Sequence, residues 1–240
     1  MRIAIVSDIH GNRTAFEAVL DDLRLTAPDL VLHGGDLAGP GSGPAQVIDQ
    51  IRDLGWNGVV GNTDELLFHP ESLTGFVAQS SPALSSLFAA VEETAMVTRA
   101  WLGKERLAWL RDLPRIQQHD SVALVHARPG DLWRAPTSEA SDADLESIYG
   151  LLGNQIVVYG HIHTPYIRSI GGRTIANSGS VGLPYDGDRR ASYLLLDDGT
   201  PSIRRVEYDL DKELQSLASC GLPHADWIAR SLQSARPEMP

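Results

Sequence analysis

The chain of 240 residues is long enough to bury one substantial core, and its size favours a single domain with insertions over two full domains. Its net charge of −11 argues against a nucleic-acid partner, and its single cysteine, Cys220, excludes an intramolecular disulfide or a thiolate metal cluster. No apolar stretch reaches the length of a membrane span and Asp8 comes too early for a signal peptide, so we expect a cytoplasmic protein without a membrane partner.

The first third of the chain alternates short apolar runs with amphipathic segments. The pattern predicts strands at residues 2–6, 30–33 and 58–60. It predicts one helix capped by Asn12 and running to about Leu25, and a second helix over residues 45–54. This βαβαβ order is typical of an α/β fold, in which the loops at the strand ends carry the chemistry.

The rest of the chain changes character twice. Residues from about 65 to 113 lack strand signals and are predicted to form a helical insertion in a domain that spans residues 1–240. A strand over 122–125 and a helix near 143–149 follow, and then short β segments between 156 and 206 that are typical of a second sheet. Two terminal helices are predicted within about 209–233.

Seven side chains able to bind metal ions lie in five short motifs, and most of them follow a predicted strand by a few residues. Asp8, Asp36 and Asn62 should therefore lie along one edge of a parallel sheet, where ligands of open α/β sheets collect. Where two of the seven are separated by one residue, an extended backbone would direct both side chains to the same side. The full set is Asp8, His10, Asp36, Asn62, His126, His161 and His163.

This set is large enough for two metal ions, which need about six to eight oxygen and nitrogen ligands between them. Each motif alone also fits an ordinary turn or helix cap, because Asn and Asp favour such places. The presence of every required ligand type at matching strand ends predicts a binuclear metallohydrolase. Mn²⁺, Fe, Zn²⁺, Ni²⁺ and Co²⁺ all suit such mixed histidine and carboxylate ligands.

The ordered motifs resemble those of the calcineurin-like metallophosphoesterases. Asn177 to Gly182 also resembles a segment of their small bacterial phosphodiesterase branch, and the likeness spans roughly residues 1 to 207. The resemblance implies a four-layer α/β/β/α sandwich carrying the helical insertion. It also implies hydrolysis of a phosphate ester through attack on phosphorus by a hydroxide that bridges two divalent or trivalent metal ions.

The resemblance further implies which residues hold each ion. Asp36 would bridge the two ions, and Asp36, Asn62 and His126 would take part in catalysis. One ion would be held by Asp8, His10, Asp36 and His163, and the other by Asp36, Asn62, His126 and His161.

One position departs from the family pattern. Thr63 stands where many members have the histidine that protonates the leaving oxygen, and general acid catalysis is commonly worth roughly 10²–10⁴-fold. This replacement favours phosphodiesters with good leaving groups. Asp64, without a histidine to orient, is expected to cap a helix that begins at Glu65.

Several functions remain open at this stage. The leading hypothesis is a phosphodiesterase acting on a small phosphorylated compound, and the alternatives are a phosphomonoesterase or a dinucleotide polyphosphate hydrolase. A non-catalytic scaffold of the same fold would show a degraded ligand set, and a nuclease would not be expected to carry so acidic a charge. The oligomeric state is open.

Other residues receive weaker assignments. Arg128 could bind a substrate phosphate or form a surface salt bridge, and Tyr185 could line the mouth of the site. His33 is expected to be structural rather than a ligand. The insertion is expected to form a cap beside the metal cleft, and the alternative is a helical pair packed on the edge of the sandwich.

Overall fold

The computed structural model describes residues 1–240 and contains two five-stranded sheets. The strands of the first half are β1 (Arg2–Val6), β2 (Leu30–His33), β3 (Asn57–Gly58), β4 (Ile116–His119) and β5 (Val122–Val125). The strands of the second half are β6 (Ile156–Tyr159), β7 (Tyr166–Ile170), β8 (Arg173–Asn177), β9 (Ala191–Asp197) and β10 (Thr200–Val206).

The first sheet has the order β10-β9-β1-β2-β3, with β1, β2 and β3 parallel. The segments at 192–196 and 203–206 were expected in the second sheet, and that expectation is wrong. Strand β9 runs antiparallel to β1, with Leu196 opposite Ile3. An apolar run predicts a strand but does not specify which sheet it joins, because its partner is set by tertiary packing.

The second sheet has the order β4-β5-β6-β8-β7, with β5, β6 and β8 parallel. Strand β4 was not predicted from the sequence. Its residues, including two glutamines, are exposed or half-buried, as is common for a strand at the edge of a sheet.

The two sheets pack face to face because their strands alternate. Ile3 and Ile5 of β1 belong to the core between the sheets, together with Val158 of β6. Ala4 and Val6 point to the other side and pack on a helical layer that includes Phe16. The opposite face of the second sheet is covered by Leu145 and Tyr149 in the same way. The predicted four-layer α/β/β/α sandwich is confirmed.

Eight helices surround the sheets. Their bounds are α1 (Arg13–Thr26), α2 (Pro44–Leu54), α3 (Asn62–Phe68), α4 (Glu71–Val77), α5 (Ser85–Arg111), α6 (Asp142–Tyr149), α7 (Leu210–Cys220) and α8 (Ala225–Ser234). The long helix α5 is interrupted at Gly103, whose φ of 67° is not helical. None of the eight is both long and apolar enough to cross a membrane.

The helices between β3 and β4 pack on the C-terminal helices. Ala90 of α5 lies in one hydrophobic cluster with Leu217 of α7 and with Trp227 of α8. Helix α3 begins at Asn62 and not at Glu65. The candidate ligand Asn62 is therefore the first residue of the helical segment between β3 and β4. The segment and the terminal helices therefore lie side by side next to the strand ends of the first sheet.

Candidate metal centre

The seven candidate ligands meet at one edge of the sandwich, where both sheets end their parallel strands. Asp8 and Asp36 follow β1 and β2, and Asn62 opens α3 directly after β3. From the second sheet, His126 follows β5, and two further histidines follow β6. Side chains far apart in the sequence, such as Asp8 and His163, thus come together. All except the half-buried His161 are buried: Asp8, His10, Asp36, Asn62, His126 and His163.

One group of candidate ligands is centred on His10 and His163. The Nε2 atoms of the two rings lie 3.1 Å apart. The Nδ1 of His10 contacts the carbonyl oxygen of Gly39. The Nδ1 of His163 lies 2.5 Å from the carbonyl oxygen of Leu183. The carboxylate Oδ1 of Asp8 lies 3.2 Å from Nε2 of His163.

A second group is centred on Asn62. Its Oδ1 lies 2.9 Å from Nε2 of His126 and 2.9 Å from Nδ1 of His161. The Nδ1 of His126 lies 2.8 Å from the carbonyl oxygen of Gly34, which is a hydrogen-bond acceptor. The two ring nitrogens that face Asn62 are themselves 3.3 Å apart.

The carboxylate of Asp36 lies between these two groups. Its Oδ2 is 3.7 Å from Nε2 of His10 in the first group and 3.6 Å from Nε2 of His126 in the second. Its Oδ1 accepts a hydrogen bond from the backbone N–H of Thr63 at 2.9 Å, so the orientation of the carboxylate is fixed. Asp36 is the carboxylate placed to be shared by both groups.

The chemistry of these donors fits metal ions. A histidine whose Nδ1 faces a carbonyl oxygen carries its proton there, and its Nε2 then presents a lone pair. The Nε2 atoms of His10 and His163 lie 3.1 Å apart and both present lone pairs, so neither can donate a hydrogen bond to the other. A cation satisfies such a cluster of lone pairs and carboxylates, and the residues present therefore fit the metal ions that the sequence predicts.

The backbone at this edge is strained in a way the sequence did not indicate. Residues Asp8 and His10 were expected to be extended, but both have φ in the left-handed region, at 55° and 51°. Asp36, His161 and His163 also have positive φ. Left-handed backbone costs a non-glycine residue on the order of 1 kcal/mol and is concentrated at functional sites. The strain therefore supports a functional role for this edge.

Two glycines let the strand ends approach each other. A Cβ on Gly61 would lie 2.0 Å from Oδ1 of Asp36, and one on Gly160 would lie 2.4 Å from Oδ2 of Asp8. No side chain can occupy either position without displacing a candidate ligand. These two glycines explain why the motifs at residues 61–64 and 160–163 each begin with glycine.

Burial and charge set the protonation of the candidate ligands. Burial and, to a smaller extent, the neighbouring His126 lower the pKa of His161 to about 4. Burial alone would raise the pKa of Asp8, but the adjacent His163, together with His126 and His10, outweighs that effect and holds the pKa well below its usual range. A neutral imidazole and an ionised carboxylate are the forms that bind metal ions.

Asp64 caps the start of helix α3, as expected, although that helix begins at Asn62, and it also holds a second segment of the chain. Helix α3 starts before it, and its buried carboxylate accepts hydrogen bonds from the backbone N–H groups of Leu37 at 2.9 Å, Ala38 at 3.3 Å and Gly61 at 3.2 Å. It therefore ties the start of α3 to the loop that carries Asp36. Both of its carboxylate oxygens accept from backbone groups.

The candidate ligands border a cavity of about 320 Å³. Thr63 lines it, and its hydroxyl is buried without a hydrogen-bond partner. The helical segment between β3 and β4 supplies much of the wall, including Phe76 and Val91. Trp227 of helix α8 closes another side. That residue could not be predicted as part of the cavity, because its position depends on how α8 packs.

The two candidate substrate residues lie at the rim. The ring of Tyr185 stacks on His163 with 4.4 Å between ring centroids, and it lines both the cavity and an adjoining outer groove. Arg128 lies in the outer groove and is paired with Asp131 at 3.0 Å. His33 is buried away from the candidate ligands near Trp109, and neither of its ring nitrogens has a partner.

The sequence from residue 1 to residue 200 matches the model of the calcineurin-like phosphoesterase superfamily domain. The chain belongs to this family. The resemblance predicted from the motifs is therefore confirmed, and the metal dependence of calcineurin-like phosphoesterases agrees with the grouping of histidines and carboxylates described above.

Individual relatives support this membership over the whole chain. An uncharacterised protein of Methanocaldococcus jannaschii is 30% identical and covers 96% of each of the two chains. The crystal structure of a metallophosphoesterase from Sphaerobacter thermophilus is 25% identical and aligns with a TM-score of 0.78 over 98% of this chain and 99% of its own. A symmetrical bis(5′-nucleosyl)-tetraphosphatase from Vibrio campbellii is 26% identical over 62% of this chain and 52% of its own length.

Proposed function

We propose that the chain is a binuclear metal-dependent phosphodiesterase acting on a small phosphorylated compound. The observation that carries the proposal is the pair of lone-pair clusters with Asp36 between them. Each cluster has the donors for one cation, and a carboxylate shared by two cations partly offsets their repulsion. The first cation would be held by Asp8, His10, Asp36 and His163, and the second by Asp36, Asn62, His126 and His161.

When bound, the two cations supply the positive charge that activates a water molecule and meets the charge developing on the phosphoryl oxygens. The residues of the chain fix the geometry. Backbone carbonyls hold the rings of His10, His126 and His163, so that Nε2 of each is aimed at the centre. The unpartnered hydroxyl of Thr63 is available to donate a hydrogen bond to a phosphate oxygen at the cavity wall.

The lining of the cavity favours diesters with good leaving groups. Apart from the candidate ligands, the only titratable side chain in the lining is Tyr185, and burial raises the pKa of its hydroxyl. His69, another possible proton donor, is exposed beside Glu71 and does not line the cavity. With Thr63 in place of an imidazole, a leaving group that requires protonation would depart slowly.

A dinucleotide polyphosphate is the second candidate substrate. The likeness to the tetraphosphatase of Vibrio campbellii supports it, and Arg128 and Arg134 in the outer groove could contact additional phosphates. Both arginines are already paired with Asp131, at 3.0 Å and 3.2 Å, which reduces the charge they offer. A non-catalytic scaffold has less support, because all seven candidate ligands are intact and converge.

The proposal is tested with the chelated protein reloaded separately with Mn²⁺, Fe, Zn²⁺, Ni²⁺ or Co²⁺. Bis-p-nitrophenyl phosphate, p-nitrophenyl phosphate and a dinucleotide tetraphosphate are compared as substrates. We expect metal-dependent cleavage that is fastest for the diester. Asp36→Asn should abolish this cleavage, and Asp53→Asn, at an exposed position, should preserve it. Full activity after exhaustive chelation, or faster cleavage of the monoester, would overturn the proposal.

A further inference from the structure

The cavity beside the candidate metal centre is lined mainly by apolar side chains away from the candidate ligands. Besides the candidate ligands, its polar side chains are those of Thr63, Thr94, Thr98 and Tyr185, and the hydroxyl of Thr94 is already bonded to the carbonyl oxygen of Ala90 at 2.9 Å. Most of the remaining wall is aliphatic or aromatic, and 13 of its 23 lining residues are hydrophobic. The apolar part is typified by Leu73, Leu87, Phe88, Val91, Trp227 and Ile228.

This apolar wall is built by two helical regions and not by the strands that carry the candidate ligands. Leu87 and Val91 of α5 pack in the same cluster as Trp227 and Ile228 of α8. Because these helices contact each other around the cavity, its apolar part has a fixed wall and is called the chamber. Thr63 and the candidate ligands line the same cavity as the chamber.

No lysine or arginine lines the chamber. The nearby arginines, Arg128 and Arg134, line the outer groove instead, and each is paired with Asp131. Phe76 and Trp133 line both spaces and stack on each other with 5.3 Å between ring centroids, so they form the partition between chamber and groove. A second phosphate or a charged group inside the chamber would be desolvated without a counter-charge.

We infer that this chamber binds the apolar alcohol arm of a phosphodiester whose phosphorus lies at the metal end. The inference rests on the proposed function and names the substrate class: a phosphodiester of an aliphatic alcohol. At about 30 Å³ for each water-sized group, a cavity of 320 Å³ holds on the order of ten non-hydrogen atoms. An alkyl arm of that size would fill it and remove its own surface and that of the wall from water.

The chemistry of the step is ordinary hydrolysis. Water adds across one P–O ester bond, its oxygen becomes part of the phosphate monoester, and its hydrogen leaves with the departing alcohol. In an alkyl p-nitrophenyl phosphate the P–O bond to nitrophenolate breaks, because nitrophenolate is the better leaving group. The alkyl arm then stays on the product and reports only on binding in the chamber.

The test is a series of alkyl p-nitrophenyl phosphates with methyl, butyl, hexyl and octyl arms, compared with phenyl and thymidine arms. Each methylene that enters the chamber should raise kcat/KM roughly fourfold. The hexyl ester should therefore exceed the methyl ester by on the order of 1000-fold. It should also exceed the thymidine ester, whose hydroxyl and amide groups would lose their partners in the chamber.

A pair of variants on helix α5 locates the effect. Val91→Glu places a charge in the chamber and should lower the hexyl-to-methyl ratio at least tenfold. Met96→Glu is the matched control, because Met96 lies on the same helix, is 60% exposed and does not line the chamber. It should keep the wild-type ratio. An unchanged ratio in a folded Val91→Glu protein would overturn the inference.

A binding measurement on the unaltered protein keeps the test independent of folding. Octylphosphonate should change the tryptophan emission, because Trp133 and Trp227 line the chamber, whereas methylphosphonate at the same concentration should not. Equal responses to the two, or equal kcat/KM along the alkyl series, would overturn the inference and leave the phosphodiesterase proposal standing. Absence of metal-dependent cleavage of every ester in the series would instead overturn the proposed function.

Discussion

The carboxylate of Asp64 accepts a hydrogen bond from the backbone N–H of Leu37 at 2.9 Å and so joins the start of helix α3 to the loop that carries Asp36. The same side chain accepts from Ala38 and Gly61. Asp64 therefore holds two of the motifs at a fixed distance from each other. Its role is to position the candidate ligands rather than to contact substrate.

Asp64→Ala should destabilise the protein and weaken metal binding. Three backbone N–H groups would lose their buried acceptor, at a cost on the order of 3 kcal/mol in the free energy of unfolding. Loss of such supporting contacts typically lowers metal affinity by about 10–100-fold. Urea denaturation and metal titration measure the two effects. Asp64→Asn, which keeps one acceptor oxygen, should be intermediate, and an Asp64→Ala protein with unaltered metal affinity would contradict this role.

Thr63 provides a prediction about catalysis. Its hydroxyl is buried, unpartnered and at the cavity wall, so Thr63→Val should lower kcat/KM for a phosphodiester by roughly 10–100-fold, as expected for a lost hydrogen bond to a charged group. Thr63→Ser should restore most of the activity, because it keeps the hydroxyl. Steady-state kinetics on bis-p-nitrophenyl phosphate distinguish the two. Wild-type activity in the valine variant would show that the hydroxyl does not contact substrate.

His33 provides a prediction about pH and stability. Burial lowers the pKa of its imidazole from 6.5 to about 4, so the folded protein keeps His33 neutral where the unfolded chain would be protonated. The unfolded state then binds the extra proton, and stability is lost progressively as the pH falls from about 6.5 toward about 4. The loss attributable to His33 is on the order of 3 kcal/mol. The loss fades as the pH rises past the unfolded-state value of 6.5.

The comparison with His33→Gln isolates this effect. Both proteins are unfolded with urea at several pH values in the presence of a chelator, so that metal binding does not contribute. As the pH falls from about 6.5 toward about 4, the free energy of unfolding of the wild-type protein should decrease relative to that of the variant. A difference that stays constant with pH would contradict the burial of a neutral imidazole.

The candidate ligands could be predicted from the sequence because each belongs to a short motif at a strand end. Chain topology alone brings such ends to one edge, as Asp8 and Asp36 show. The left-handed backbone at these residues could not be predicted, because non-glycine residues rarely adopt it. The close approach of Gly61 and Gly160 to the two carboxylates could not be predicted either, since sequence patterns report local preference and not such contacts.

The long-range pairings were also beyond the sequence pattern. Strand β9 joins the first sheet through β1, and nothing local in its apolar run distinguishes that partner from the second sheet. The same holds for Trp227, which reaches the cavity only because α8 packs on α5. The motif of Asp64 predicted its helix cap, but not its hydrogen bonds to N–H groups 26 and 27 residues away.

The metal content of the replete protein tests the central claim most directly. After dialysis against excess Mn²⁺ or Zn²⁺ and removal of unbound ions, elemental analysis should find two metal ions per chain. His163→Ala should reduce that number, whereas His69→Ala, at an exposed histidine outside the cavity, should leave it at two. A replete wild-type protein that holds at most one ion per chain would contradict the binuclear centre.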